Sequence, residues 1–138
     1  MPFEQLEAFF EKSVPFNQLL GLRVVSTEKG RATLKIPYSE RLVGDSSRPA
    51  IHGGVISALA DSAGGLAAWT TLNAGKAVST IDLRIDYLQP AGPADLVCIA
   101  DVIRTGNRVV VVSMSVFQGA EEIKVAEGRG VYNINQRD

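Results

Sequence analysis

The chain has 138 residues, 46% of them hydrophobic and 21% charged, which predicts a single globular domain over residues 1–138 with enough apolar material for a core. A formal net charge of −1 gives no reason to expect binding to nucleic acid or to an anionic membrane, and no apolar run approaches the ~20 residues of a membrane-spanning helix. The single cysteine, Cys98, excludes an internal disulfide and fits a reducing compartment, so we predict a cytoplasmic protein in which Cys98 is an inert thiol on a strand.

The chain begins with a predicted amphipathic helix over residues 3–13. Its apolar face is formed by Phe3, Leu6, Phe9 and Phe10. Pro15 is expected to end this helix, so residues 1–15 precede a core domain over residues 16–133. Residues 16–21 are a connection or a short second turn.

A strand hairpin and a long loop follow. Strands are predicted at Leu22–Thr27 and Arg31–Ile36, joined by a turn at Lys29-Gly30. The second strand alternates apolar with polar residues, which indicates one solvent-facing side. Residues 38–51 form a loop that is long for a compact domain, and such loops often carry function. A plain surface excursion is the alternative interpretation.

The central element is an apolar helix predicted from Val55 to Leu72, ending near Asn73-Ala74-Gly75. Asp61 is the only ionisable residue in it. The helix's own side chains are apolar around nearly its whole circumference, which predicts that the helix is buried. A buried acid is costly unless it is paired or hydrogen-bonded, so Asp61 is a candidate functional residue. The structural alternative is an acid satisfied by a backbone N–H.

The start of this helix carries a second candidate site. His52 is followed by Gly53 and Gly54, whose lack of side chains allows another group to approach the backbone. The first N–H groups of a helix have no internal partner and lie at the positive end of its dipole, so they can stabilise an anion or a developing oxyanion. Alternatively, the glycines serve tight packing and His52 is a structural hydrogen-bonding residue.

The second half of the chain changes to a period of two. Ile81, Leu83, Ile85 and Tyr87 alternate with polar residues, which predicts a long strand with one face on the core. Further strands are predicted at Asp95–Arg104, Arg108–Gln118 and Ile123–Asn133, and residues 136–138 as a frayed tail. Consecutive hairpins around one helix predict a two-layer α+β fold with a curved antiparallel sheet.

Spacing along the helix also predicts an oligomer. Gly54 and Asp61 lie on one face but are separated by roughly 10 Å along the axis, at about 1.5 Å per residue. That is too far for both to contact one reacting carbon. If they act together, Asp61 must come from a second copy of the chain, which a two-fold axis between antiparallel helices would achieve.

These residues resemble a known family. His52-Gly53-Gly54 with an acid nine residues after the histidine, and the later Thr80-Ile81-Asp82-Leu83-Arg84-Ile85-Asp86-Tyr87-Leu88-Gln89-Pro90, are similar to the PaaI-like (phenylacetate-degradation type) hotdog-fold acyl-CoA thioesterases. The resemblance covers roughly residues 16–133. It implies a hotdog fold, hydrolysis of an acyl- or aryl-acyl-CoA thioester to free acid and CoA without metal or organic cofactor, and a homodimer commonly paired into a homotetramer.

The resemblance also implies roles for individual residues. The Gly54 backbone N–H would polarise the thioester carbonyl, with His52 and Gly53 shaping that pocket. Asp61 would be the nucleophile or the general base, and Thr80 would hold the water or the acid.

The sequence departs from the family pattern at one position and leaves others open. Several members carry Asn or Gln where this chain has Ser46, whose shorter side chain leaves that role unassigned. Arg104 and Arg108 flank a hairpin loop and either meet CoA phosphates or are simply solvated. Trp69 is expected in the core rather than in an acyl pocket. A non-catalytic acyl-CoA-binding protein is the alternative function, and Asp61 favours the thioesterase because a binder has no need of it.

Overall fold

The structure is a computed structural model, and it describes residues 2–136. Three α-helices and eight strands are present in this part of the chain. The helices are α1 (Phe3–Lys12), α2 (Pro15–Leu20) and α3 (Gly53–Trp69). The strands are β1 (Arg23–Glu28), β2 (Arg31–Ile36), β3 (Val43–Asp45), β4 (Ala50–Ile51), β5 (Lys76–Tyr87), β6 (Leu96–Thr105), β7 (Val109–Gln118) and β8 (Ile123–Gln136).

Six of the strands form one antiparallel sheet in the order β1-β2-β6-β7-β8-β5. The helix α3 packs across this sheet and contacts β2, β5, β6, β7 and β8. The short strands β3 and β4 form a separate hairpin. A long helix covered by a curved antiparallel sheet is the predicted α+β hotdog architecture, which is therefore confirmed.

The core lies between α3 and the sheet face that it covers. Its central side chains are fully buried aliphatic residues from both layers: Leu59, Ala63, Leu66, Leu96, Ala100, Val110 and Val112. Cys98 belongs to the same layer, and burial raises the pKa of its thiol to about 12. The expectation of an inert buried thiol is confirmed. No helix within residues 2–136 is both long and apolar enough to cross a membrane.

The N-terminal helix packs its aromatic face on the body as predicted. Phe9, Phe10 and Trp69 make three edge-to-face ring contacts with centroids 5.8–5.9 Å apart. These contacts fix α1 against the last turn of α3. The Trp69 side chain is buried in the core, as expected. It also borders the cleft that contains Asp61, so the expectation that Trp69 lies away from such a cleft was wrong.

Several predicted boundaries were wrong. Pro15 does not follow the first helix directly but begins α2, where proline's fixed φ suits the first helical position. Residues 38–51 are not one irregular loop: they contain a 3-10 helix at Glu40–Leu42 and the β3–β4 hairpin. Helix α3 begins at the two glycines and ends at Trp69, three residues before the predicted end. Gln136 lies in β8, and the rest of the predicted frayed tail, 137–138, is outside the described residues.

The strand β5 departs from simple alternation because it contains a β-bulge. Its register with β8 shifts between Thr80 and Asp82, which leaves Ile81 without a partner residue. A bulge reverses the face to which the following side chains point. Val78, Leu83 and Ile85 therefore pack on the core, whereas Ile81 is 57% exposed. The prediction that Ile81 faces the core was wrong.

Candidate active site

One stripe of α3 is not covered by the sheet. Gly54, Ser57, Ala58, Asp61 and Ser62 are partly or largely exposed in the single chain, whereas the rest of the helix from Val55 onwards is buried. The prediction of burial on all sides was therefore too broad. Asp61 lies on the open stripe, where a carboxylate can be reached by a substrate.

The Asp61 side chain is held by the strand next to it. Thr80 Oγ1 donates a hydrogen bond to Asp61 Oδ1 at 2.7 Å. Directly opposite Thr80 in the β5–β8 register is Tyr132, whose hydroxyl donates to the Asp61 backbone carbonyl at 2.9 Å. A cross-strand pair of residues thus fixes both the main chain and the carboxylate of Asp61.

Tyr132 reaches the helix because two glycines make room for it. A Cβ on Gly64 would overlap the Tyr132 hydroxyl, and a Cβ on Gly130 would lie 2.7 Å from Tyr132 Cε1. Burial, with Asp61 nearby, raises the pKa of Tyr132 well above its usual range. Its hydroxyl therefore stays protonated and acts as a fixed donor to the helix.

The start of α3 is capped by a side chain. His52 precedes the first helical residue, and its Nδ1 accepts a hydrogen bond from the Gly54 N–H at 2.8 Å. An accepting Nδ1 leaves Nε2 to carry the ring proton, so His52 can still donate one hydrogen bond. The Gly54 N–H is engaged in the cap, so its predicted contact with a thioester carbonyl would first require this bond to break.

Gly53 differs from Gly54 in this respect. No acceptor for the Gly53 N–H is found among residues 2–136, and as the first helical residue it has no partner inside the helix. The Gly53 carbonyl accepts a hydrogen bond from the Tyr87 hydroxyl at 3.1 Å, and that hydroxyl also meets Ser57 Oγ. Tyr87 thereby ties β5 to the first turn of the helix.

The β3–β4 hairpin positions the capping histidine. The His52 N–H donates to the Leu42 carbonyl at 2.8 Å, immediately after the Val43–Ile51 strand pairing. Gly44 lies against the histidine, since a Cβ there would stand 3.0 Å from His52 Cα and 3.1 Å from its ring. The segment predicted as a functional loop therefore builds one wall of the site.

Two clefts open beside these groups. The larger, of about 700 Å³, is lined by His52 and Gly54, the α2 residues Phe16 and Leu19, and Arg41. The smaller cleft, of about 280 Å³, contains Asp61 and Thr80. Within one chain the capped helix start and the carboxylate thus belong to separate clefts.

The other residues predicted for the site lie elsewhere in the chain. Ser46 is exposed at the tip of the β3–β4 hairpin, beside an Asp45 carboxylate whose pKa is lowered by hydrogen bonds from Ser47 and Arg48. Arg104 and Arg108 are exposed on the β6–β7 hairpin.

This hairpin lies at the far end of α3. The Gly30 N–H donates to Thr70 Oγ1, just beyond the last residue of the helix, and the Val102 N–H donates to the Gly30 carbonyl, both at 2.8 Å. Arg104 and Arg108 are therefore at the opposite end of α3 from His52.

Sequence reasoning missed the supporting residues of the site. Tyr132 and Tyr87 both bond to α3, yet each stands in an ordinary alternating strand. Their partners follow from the strand register and the bulge, which the sequence does not reveal. One feature of the sequence could have drawn attention to Tyr87: it stands at the end of the β5 motif, just before a turn that contains proline.

Comparison with known proteins gives matches to thioesterases and to an esterase. The sequence profile of the thioesterase superfamily matches residues 49–124. A protein of Halobacterium salinarum provisionally described as an esterase is 39% identical over 127 residues, covering 86% of this chain and 83% of the relative. The medium/long-chain acyl-CoA thioesterase YigI of Escherichia coli is 30% identical over 138 residues, covering 91% and 88%. The crystal structure of a thioesterase family protein from Silicibacter pomeroyi superposes with a TM-score of 0.89 at 25% identity, covering 98% and 99%.

Proposed function

The chain belongs to the thioesterase superfamily and is a thioester hydrolase, and we propose that it hydrolyses acyl-CoA thioesters with apolar acyl groups of medium or greater length. The observation that carries this proposal is the Asp61 carboxylate, held by Thr80 at 2.7 Å in a cleft whose other walls are largely apolar. The activity named for YigI, a relative of similar length, supports the same substrate class.

We propose Asp61 as the group that starts the reaction. As a general base it would take a proton from a water molecule, whose oxygen then bonds to the thioester carbon. As a nucleophile it would bond to that carbon itself and form an anhydride that water later hydrolyses. In both routes the C–S bond breaks, the CoA thiolate leaves and is protonated, and the free acid is released.

The oxyanion that forms on the carbonyl needs fixed donors. We assign this role first to the Gly53 N–H, which is unpaired among the described residues at the positive end of the α3 dipole. The Nε2–H of His52 is a second donor in the same region. The Gly54 N–H supports the site indirectly, because its bond to Nδ1 fixes the histidine ring.

We propose that each site is shared between two chains. Gly53 and Asp61 are eight residues apart on α3, about 12 Å along the axis. The cleft at the helix start is lined by the neighbours of Gly53, His52 and Gly54, and it is separate from the cleft that contains Asp61. Strand β5 is an edge strand with an exposed Ile81, and such edges favour pairing with another chain. A two-fold axis would join the helix start of one copy to the carboxylate of the other, giving two equal sites in a homodimer.

Mixing two inactive variants tests this arrangement. Asp61→Asn and Gly53→Pro, unfolded together and refolded as an equal mixture, should recover roughly a quarter of wild-type activity, because about half the dimers are mixed and each has one intact site. A mixture of Asp61→Asn with Thr80→Val should recover nothing beyond its parents, since both lesions fall in the same half-site. Mixed dimers confirmed by native mass spectrometry but no more active than their parents would reject the shared site.

We propose the larger cleft for the CoA portion of the substrate. It is open and carries polar groups, including Arg41 at its rim, which suits a phosphate-bearing ligand. Arg104 and Arg108 remain proposed phosphate contacts. Antiparallel pairing of two α3 helices would bring the hairpin of one copy towards the helix start of the other.

A panel of CoA thioesters, followed with a thiol-reactive dye, tests the proposed substrate class. We expect kcat/KM to rise with each added methylene group, by about fourfold at about 0.8 kcal/mol per buried methylene, until the cleft is filled. Acetyl-CoA and 4-hydroxybenzoyl-CoA should be the poorer substrates. If no acyl-CoA is cleaved faster than in enzyme-free buffer, the proposal is wrong.

Three finer predictions remain proposals. The spacing from His52 to Asp61 and the β5 motif support assignment to the PaaI-like type within the superfamily, which we propose. We also propose that dimers pair into tetramers. The single buried cysteine supports a cytoplasmic location, which is the third proposal. Light scattering at micromolar concentration measures the oligomeric state directly.

A further inference from the structure

We propose that the smaller cleft beside Asp61 is the acyl pocket and that Gly65 sets the length of the acyl chain it accepts. The inference rests on the proposed acyl-CoA thioesterase function and names a residue that determines its specificity. Gly65 contacts no reacting atom in this proposal; it acts by the space that it leaves.

The walls of this cleft suit an apolar chain. Asp61 and Thr80 mark the reacting end, and the remaining walls include Phe10, Val14, Phe16, Trp69 and Val78. An acyl chain extends from the same carbon that Asp61 must approach, so its first methylene groups have to enter the cleft that holds Asp61. Burial of such groups among aromatic and aliphatic side chains is favourable.

The polar groups in these walls are already hydrogen-bonded. Asn17, only 4% exposed, donates from Nδ2 to the Phe10 carbonyl at 3.1 Å and accepts from Ser62 Oγ at 3.3 Å. The Tyr132 hydroxyl donates to the Asp61 carbonyl. A hydroxyl or charged substituent on the acyl group would lose its water and find no matched partner, which disfavours it.

Two adjacent glycines in the middle of α3 have different explanations. Gly64 is required by packing, because an added Cβ would overlap the Tyr132 hydroxyl and stand 2.7 Å from Met114 Cε. At Gly65 an added Cβ would meet Tyr132 Cε2 at 3.6 Å and Val78 Cγ2 at 4.0 Å, which are ordinary contacts. Alanine is the better helix former, so neither packing nor helix stability accounts for glycine at 65. The open volume that a glycine leaves in the cleft accounts for the residue at this position.

The proposal predicts a change in chain-length preference. In Gly65→Ala, the ratio of kcat/KM for the longest good substrate to that for butyryl-CoA should fall by about tenfold or more, since one methyl group in a filled pocket has that effect. Val78 faces the added methyl group, so Val78→Ala should extend the preference to longer chains. The double variant should return towards the wild-type profile, which only a shared volume explains.

Gly92→Ala is the matched control. It makes the same substitution where an added Cβ meets nothing within 4 Å, outside both clefts, and its chain-length profile should equal that of the wild type. Thermal unfolding of each variant shows that it is folded. If Gly65→Ala does not fold, Val78→Ala alone decides the proposal through its shift to longer chains.

The failures can be distinguished. A wild-type protein that cleaves acyl-CoA, together with an unchanged profile in a folded Gly65→Ala or in Val78→Ala, overturns the pocket and leaves the thioesterase function standing. A wild-type protein that cleaves no acyl-CoA overturns both.

Discussion

Replacing Asp61 with asparagine should lower kcat for acyl-CoA hydrolysis by ~10²–10⁴, the usual effect of losing a general base. Asparagine has the same shape and its side-chain oxygen can still accept the bond from Thr80, so only the basic or nucleophilic carboxylate is lost. Asp61 is half-buried and its backbone carbonyl is held separately by Tyr132. We therefore expect the fold and the thermal unfolding temperature to be retained.

Asp82→Asn is the control for this experiment. Asp82 lies on the same strand, two residues beyond Thr80, and is exposed on the far side of the bulge. The variant has the same change in net charge and should keep wild-type kinetics. An Asp61→Asn protein with kcat within about threefold of the wild type on its best substrate would exclude Asp61 from the chemistry.

The same site can separate the two roles proposed for Asp61. Under single-turnover conditions in heavy-oxygen water, a general base directs all of the label into the released acid. A nucleophile forms an anhydride, and its hydrolysis can leave label on the Asp61 carboxylate. Label found by mass spectrometry on the peptide that contains Asp61 would therefore establish the nucleophilic route.

The fold was largely predictable because its dominant patterns are local. The apolar run after Gly54 and the alternation in Arg31–Ile36 specify a buried helix and a half-buried strand without knowledge of tertiary contacts. The bulge at Ile81 was not predictable in this way. The residues around it alternate regularly, and the shift arises only when β5 pairs with β8.

The candidate site was predictable only in part: the sequence indicated Asp61 and Thr80 but not the tyrosine that supports them. Thr80 was linked to Asp61 through the family resemblance, and the structure places their side chains 2.7 Å apart. Regular alternation alone would have set Thr80 on the solvent face, and the bulge is what turns it towards the helix. Tyr132 supports Asp61 from 71 residues away in sequence, and no local pattern marks it.

The His-Gly-Gly segment shows why a motif does not by itself assign roles. Two consecutive glycines at a helix start look equivalent as backbone donors. The structure separates them, because His52 turns back to cap the second N–H and leaves the first one free of partners within residues 2–136. On this ground we propose the first glycine, at the N-terminal end of the helix dipole, as the donor to a substrate carbonyl.

This distinction predicts a large difference between two substitutions at Gly53. Both Gly53→Ala and Gly53→Pro add a Cβ, which would lie 3.2 Å from Tyr87 Cε1, but only proline removes the N–H. Proline is well tolerated at the first helical position, and His52, with φ −58° and ψ 134°, already has the conformation that a residue before proline prefers. The two variants should therefore fold equally well.

We expect kcat/KM of Gly53→Pro to fall ~10²–10³ below that of Gly53→Ala, the effect of removing one oxyanion donor. The alanine variant measures the steric contribution, since Tyr87 is half-exposed and its ring must move slightly in both proteins. Equal activities in the two variants would mean that the Gly53 N–H does not stabilise the oxyanion. The donor would then have to be Gly54, after the cap to His52 Nδ1 opens, or the histidine ring itself.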